Sequence, residues 1–191
     1  MQQISTARSE SQILATNKVL RNTYALLSMT LLFSAATAGI SMVMNLPFFN
    51  PILTLVGYFG LLFATAKFRN SSLGLLFVFM LTGFMGLTLG PILNAYLATA
   101  NGSQLVMTAL GGTGVIFLAL SGYALTSRKD FSFMGGFLMV GILVAFLGGI
   151  GAMIFEMPLM SLAVSGMFVL LMSGLILFET SNIIHGGETN Y

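Results

Sequence analysis

The sequence predicts an all-α membrane protein, a polytopic bundle of six membrane-spanning helices. The prediction rests on an apolar composition almost free of charge, on six long apolar stretches separated by turn chemistry, and on the segregation of every basic residue to one side. The chain is 57% hydrophobic and 6% charged, with a mean hydropathy of +0.97. Soluble domains carry about 25% charged residues, because a water-facing surface needs them and a lipid-facing one rejects them. With 191 residues, the chain holds six or seven helices of about 20 residues each and short loops. No length remains for a catalytic domain outside the membrane. The absence of cysteine excludes disulfides, thiol catalysis and cysteine-ligated metals. The net charge of +2 reads as a topology signal rather than as an affinity for nucleic acid, and no nucleic-acid partner is predicted.

The elements follow in order. Residues 1–22 are rich in Gln, Ser and Thr and read as a polar N-terminal tail. It is no signal peptide, because the apolar stretch after it is too long and lacks a small-residue cleavage site. Apolar segments then run over Thr23–Met44, Pro51–Ala66, Ser72–Leu93, Gln104–Thr126, Phe131–Phe155 and Pro158–Glu179. Each is long enough to cross about 30 Å of hydrocarbon, the second only just. The breaks carry turn residues: Asn45 with Pro47, Asn50-Pro51, Arg69-Asn70, Asn101-Gly102, Arg128-Lys129-Asp130 and Met157-Pro158. The membrane bundle thus occupies residues 23–180, and residues 181–191 form a loop or a shortened C-terminus.

The charges fix the orientation. Arg8, Lys18 and Arg21 precede the first segment; Lys67 and Arg69 lie between the second and third; Arg128 and Lys129 lie between the fourth and fifth. The other connections have no Lys or Arg. All the basic residues share one side, which the positive-inside rule makes cytoplasmic. The N-terminus and His185, Glu188 and Tyr191 are therefore expected in the cytoplasm.

Several motifs bear on function. Gly83, Gly86, Gly90 and Pro91 on the third segment form a small-residue helix-packing motif with a proline kink near its outer end. Gly111-Gly112-Thr113-Gly114 lacks the following Lys and the preceding strand of a phosphate loop and reads as packing. Gly135, Gly136, Gly148, Gly149 and Gly151 predict close packing of the fifth helix on all sides, at the centre of the bundle. Glu156, before Pro158, reads as a solvated interfacial acid. His185, Gly186, Gly187 and Glu188 offer too few ligands for a metal, and no cofactor is predicted. An intramembrane serine protease would need a base within about 3 Å of Ser121 or Ser165, and the one histidine lies outside the hydrocarbon; no catalytic residue is assigned. Glu179 is the informative acid, because it ends the apolar run Leu175–Phe178 near the cytoplasmic boundary. Either it snorkels to water or it is held in the bundle with Lys67 or Arg69, where protonation would break an ion pair and report pH.

These residues resemble the Bax inhibitor-1 family, also called the transmembrane Bax-inhibitor-motif family. Its third-helix signature is matched by Gly83, Gly86, Gly90, Pro91 and Leu93. The runs Lys18–Tyr24, Gly90–Asn94 and Phe178–Tyr191 are similar to bacterial inner-membrane members. The resemblance implies seven helices, of which the seventh would begin at Tyr191, where this sequence stops, so that the sequence is either truncated or an unusual short form. It implies a partner in bacteria, the membrane-anchored ATP-dependent protease FtsH, whose degradation of membrane substrates such members restrain. It also implies an alternative, a pH-sensitive calcium leak, for which Glu179 stands where the family more often has Asp and the second acid lies past the end of this chain.

Overall fold

A computed structural model of the chain describes residues 2–185, with side chains from Lys18 to His185. Gly186, Gly187, Glu188 and Tyr191, and with them half of the segment 181–191, lie outside the described residues. Among the described residues there are six α-helices, one short 3-10 turn and no strand. The fold is an all-α membrane fold.

Helix α1 runs over Gln2–Val43. The polar segment read above as a tail is therefore helical, continuous with the first apolar stretch. Residues 2–17 contain neither Gly nor Pro, so nothing in them breaks a helix. Helix α1 ends where Asn45 turns left-handed, at φ 50. The Leu46 N–H reaches back to Ser41 O and the Asn45 N–H to Met42 O, both at 3.1 Å, which satisfies two of the orphan carbonyls of the last turn.

Helix α2 spans Pro51–Lys67. Asn50 caps it, its side-chain oxygen accepting from the N–H of Ile52 at 2.9 Å and of Leu53 at 3.4 Å. Pro51 takes the first helical position, where its missing N–H costs nothing. Helix α3 covers Ser72–Leu97 and passes through Pro91, four residues farther than hydropathy suggests. Helix α4 is Gly102–Ser127 and contains Gly111, Gly112 and Gly114. It ends on Arg128, left-handed at φ 49, with the Arg128 N–H bonded to Ala124 O at 3.0 Å. A 3-10 turn, Ser132–Met134, leads into α5, Gly135–Ile154. Glu156 closes α5, left-handed at φ 49. Helix α6 is Pro158–His185, six residues longer than the apolar run.

All three left-handed helix ends are thus made by non-glycine residues, and among the described residues no glycine has positive φ. The glycines serve packing instead of turns.

Helices α1 (over Lys18–Val43), α3, α4, α5 with its 3-10 turn, and α6 are long and apolar enough to cross a membrane. At 17 residues, α2 measures about 25 Å and falls short of a full hydrocarbon core unless the bilayer thins around it. Large apolar side chains are exposed along every helix, which is the surface lipid requires.

The chain divides into two compact units, one built on Asn17–Leu110 and the other on Gly111–Thr189. In the second, Leu138, Ala145 and Leu171 form the core of an α5–α6 pair, with Met134, Ile142, Phe168, Leu175 and Phe178 against it. Gly141 meets Leu171, Gly174 meets Leu138, and Gly135 meets the Phe178 ring. The other face of α5, including Phe137, Met139 and Leu143, is exposed. Within its unit α5 is therefore packed on one side only. The all-round packing expected from its glycines is not seen there, because Gly136 and Gly151 face open space.

Candidate functional site

In the first unit the seam between α1 and α3 is built mainly from small residues. Helix α1 buries Thr30, Ala38 and Ser41, at spacings that share one helical face. Helix α3 buries Gly74, Gly83, Gly86, Gly90 and Pro91. Gly86 lies against Thr37 Oγ1 and the Ser34 carbonyl, and Gly90 against Ser41 Oγ and Cβ. A side chain at either would meet those atoms, so glycine sets the close approach of the two backbones. Around Gly83 the Phe33 ring closes the seam, itself edge-on to Phe79 with centroids 5.6 Å apart.

The proline explains the serine. Pro91 has no N–H, so the carbonyl four residues earlier, on Leu87, has no helical partner. Ser41, 0% exposed, donates its hydroxyl to Leu87 O at 2.8 Å. Three residues past the proline, Asn94 donates to Met42 O at 3.1 Å and to Asn45 Oδ1 at 3.5 Å. The broken turn of α3 is thus stitched to the last turn of α1, each repairing backbone groups the other leaves open. On the opposite flank Tyr58 of α2 shares a 2.7 Å hydroxyl bond with Thr88.

In the second unit a polar cluster holds the end of α6. Ser181, 1% exposed, accepts from the Phe131 N–H at 2.9 Å and lies 3.4 Å from Lys129 O. It pins the loop that carries Arg128, Lys129 and Asp130. Asp130 Oδ1 accepts from the Ser132 N–H at 2.8 Å. The bonds from the Ser132 backbone and then from its side chain hold the Asp130 carboxyl below its ordinary value of 3.8; a little desolvation opposes this lowering and the electrostatic effect of the nearby His185 adds to it. His185 closes α6, with Nδ1 3.1 Å from Ser181 O and 3.4 Å from Ser181 Oγ. Serine, histidine and aspartate therefore meet here, but not as a nucleophilic triad. The Ser181 hydroxyl is buried and already bonded to the loop backbone, leaving no substrate an approach. Of the other serines weighed above, Ser165 spends its hydroxyl on Ser161 O at 2.9 Å, and Ser121 is buried with no hydrogen-bond partner among the described residues.

Gly83, Gly86, Gly90 and Pro91 lie together on the α1–α3 seam. Glu179 is exposed on α6, next to buried Thr180 and Ser181. It belongs to the second unit, whereas Lys67 and Arg69 belong to the first. The Lys67 ammonium sits 5.8 Å from the Phe68 ring centroid, and Arg69 lines a cavity between the ends of α2 and α3. No group of three His, Asp or Glu side chains able to hold a metal occurs among the described residues.

Sequence reasoning missed Ser41 and Ser181. The first had a signal: a mid-helix proline always frees a carbonyl, and a hydroxyl on a small-residue stripe is a natural donor for it. The second had a weaker one in Asp130-Phe131-Ser132, an Asx turn opening a helix.

Comparison with known proteins gives consistent matches. The family model Bax1-I, described as "Inhibitor of apoptosis-promoting Bax1", matches residues 16–191. The chain is 53% identical over 188 residues to the "Modulator of FtsH protease YccA" of Escherichia coli K12, covering 98% of this chain and 85% of that one. The same figures hold for the "Inner membrane protein YccA" of Escherichia coli O6:H1. A membrane protein of Vibrio cholerae is 45% identical over 187 residues, covering 96% of this chain and 82% of that one.

Proposed function

We propose that this chain, which belongs to the Bax1-I family of inhibitors of apoptosis-promoting Bax1, is a non-enzymatic inner-membrane protein that binds and restrains the protease FtsH. One observation carries the reading: 53% identity, across 98% of the chain, to a protein named for modulating that protease. The physical character of the chain supports it. Its helices expose large apolar side chains suited to lipid or to another membrane protein's helices. Helix α1 continues as a polar stretch, Gln2–Asn17, before its apolar span. With the N-terminus in the cytoplasm, as the seven basic residues suggest, that stretch lies on the side where a membrane-anchored ATP-dependent protease works.

The test is co-purification. FtsH should be retained by the tagged full chain and lost when residues 1–20 are removed, while the shortened protein still inserts in the membrane. Loss of FtsH from neither form, or capture by neither, would contradict the assignment of that stretch or of the partner respectively. Reporter fusions at residues 48, 101 and 157 should read outside and one at 129 inside; a fusion at 129 reading outside would overturn the orientation.

A further inference from the structure

We propose that the cavity between the ends of α2 and α3 is a binding site for one anionic phospholipid. The cavity has a volume of about 450 Å³ and is lined by the polar Thr65, Arg69, Ser71 and Ser72 and by the apolar Leu26, Leu75 and Val78. Its lining mixes polar and apolar side chains, and its volume suits a headgroup with the upper part of one acyl chain. The inference is independent of the protease reading and needs only that the helices cross a membrane.

The charge balance selects the headgroup. The unit of residues 17–110 contains Lys18, Arg21, Lys67 and Arg69 and not one Asp or Glu. No Asp or Glu of residues 17–110 can neutralise Arg69. Arg69 lies in the short connection between the last residue of α2, Lys67, and the first of α3, Ser72, which is the depth of lipid headgroups when these helices span a bilayer. A planar guanidinium at that depth matches a phosphate by two parallel hydrogen bonds. Lys67, held over the Phe68 ring, adds a second positive charge at the same end.

The backbone agrees with this choice. Helix α3 begins without a side-chain cap: the Ser71 hydroxyl turns away and donates to Phe68 O at 3.0 Å. Gly74 lets the Phe68–Arg69 turn fold onto the first turn of α3, since a Cβ there would lie 3.1 Å from the Phe68 carbonyl carbon and 3.2 Å from Arg69 Cα. The turn is thereby held close to the first turn of α3, and Arg69 shares the cavity lining with Leu26, Leu75 and Val78. Free phosphate would satisfy the guanidinium but would leave Leu26, Leu75 and Val78 without a partner. A zwitterionic lipid would cover those side chains but bring a further positive charge to a site already rich in them. An anionic phospholipid does both, with its phosphate on Arg69 and one chain along the three apolar side chains.

The full chain, purified in detergent, is titrated with short-chain phosphatidylglycerol, with phosphatidylcholine of the same chain length and with inorganic phosphate. Bound lipid is counted by native mass spectrometry. The native protein should bind one phosphatidylglycerol saturably and in preference to phosphatidylcholine. Arg69→Gln should weaken phosphatidylglycerol binding about fivefold, the effect of one interfacial cation, and abolish the preference, whereas Arg69→Lys should keep much of it. Lys129→Gln, a cation outside the cavity, should bind as the native protein does. Equal affinity in native and Arg69→Gln protein would overturn the proposal. So would an equal loss in Lys129→Gln, which would reduce the effect to general surface charge. Displacement of the lipid by inorganic phosphate would show a plain anion site instead.

Discussion

Replacing Ser41 by Ala removes one hydroxyl and leaves the Cβ that rests against Gly90, so it deletes a hydrogen bond and almost nothing else. The bond in question is the 2.8 Å donation to Leu87 O. With Pro91 four residues on, that carbonyl has no N–H of its own helix to fall back on. Ser41 is fully buried, so water cannot replace it. An orphaned buried acceptor costs about 1–3 kcal/mol, and interhelical hydrogen bonds in membrane proteins average about 0.6 with a maximum near 1.7. The expected loss is therefore about 1–1.5 kcal/mol, read as a lowered midpoint of reversible unfolding in detergent. The decisive comparison is the double-mutant cycle with Pro91→Ala. Alanine at 91 supplies the missing N–H, so Leu87 O regains a helical partner. In that background Ser41→Ala should cost a few tenths of a kcal/mol, giving a coupling of about 1 kcal/mol. An equal cost in both backgrounds would show that Ser41 does not serve the carbonyl freed by the proline.

Other outcomes follow from the same geometry. Gly90→Ala, whose new Cβ meets Ser41 and stands 3.1 Å from Ala38 O, should destabilise by about 1–3 kcal/mol, whereas Gly39→Ala, with open space around it, should be neutral or stabilising by up to about 1 kcal/mol; thermal shifts of like sign and size would undo the packing argument. Glu156→Gly relieves a left-handed residue at the end of α5 and should raise stability by about 1 kcal/mol, and a loss would mean that the carboxylate has a role in holding the turn. Asp130 has a folded pKa below 3.8, so its contribution is complete above 3.8 and is lost as pH falls through the lower folded value; protection of the 128–131 backbone from proteolysis should weaken on that acid side in the native protein and lose this dependence in Asp130→Asn. Glu179→Gln, at an exposed site, should change stability by less than about 1 kcal/mol; a loss of about 3–5 kcal/mol would reveal a carboxylate enclosed with a cation.

Where local chemistry marks a boundary, the sequence locates it. The starts of α2, α3 and α6 fall at Pro51, Ser72 and Pro158 as expected, because a capping Asn50, the polar Asn70–Ser71 pair and two prolines punctuate the apolar runs. Where hydropathy alone is the guide, helices outrun it. Helix α1 begins at Gln2 because helix formation needs no apolar residues, only the absence of breakers. Helices α3 and α6 continue to Leu97 and His185 for the same reason. The left-handed helix ends carry no such signal, because Asn45, Arg128 and Glu156 take those positions while the glycines serve packing, as their segments suggest. The motif Gly83-Gly86-Gly90-Pro91 is legible as a small-residue face with a kink. Its partner is not, since Ser41 lies 46 residues before the carbonyl it repairs. Ser181 is hidden likewise, because it acts on a loop backbone 50 residues earlier. Glu179 stood out by its position after an apolar run, and its exposure assigns stability elsewhere, to Thr180 and Ser181 beside it.

The proposed role is restraint of a protease by a partner without chemistry of its own. The most direct measurement is the degradation rate of a membrane substrate by purified FtsH in liposomes, with this full chain added at increasing molar ratio. The rate should fall and level off as the chain saturates the protease, with no cleavage of the chain's own making when FtsH is omitted. A rate that stays constant at every ratio, with both proteins inserted in the same vesicles, would contradict the account.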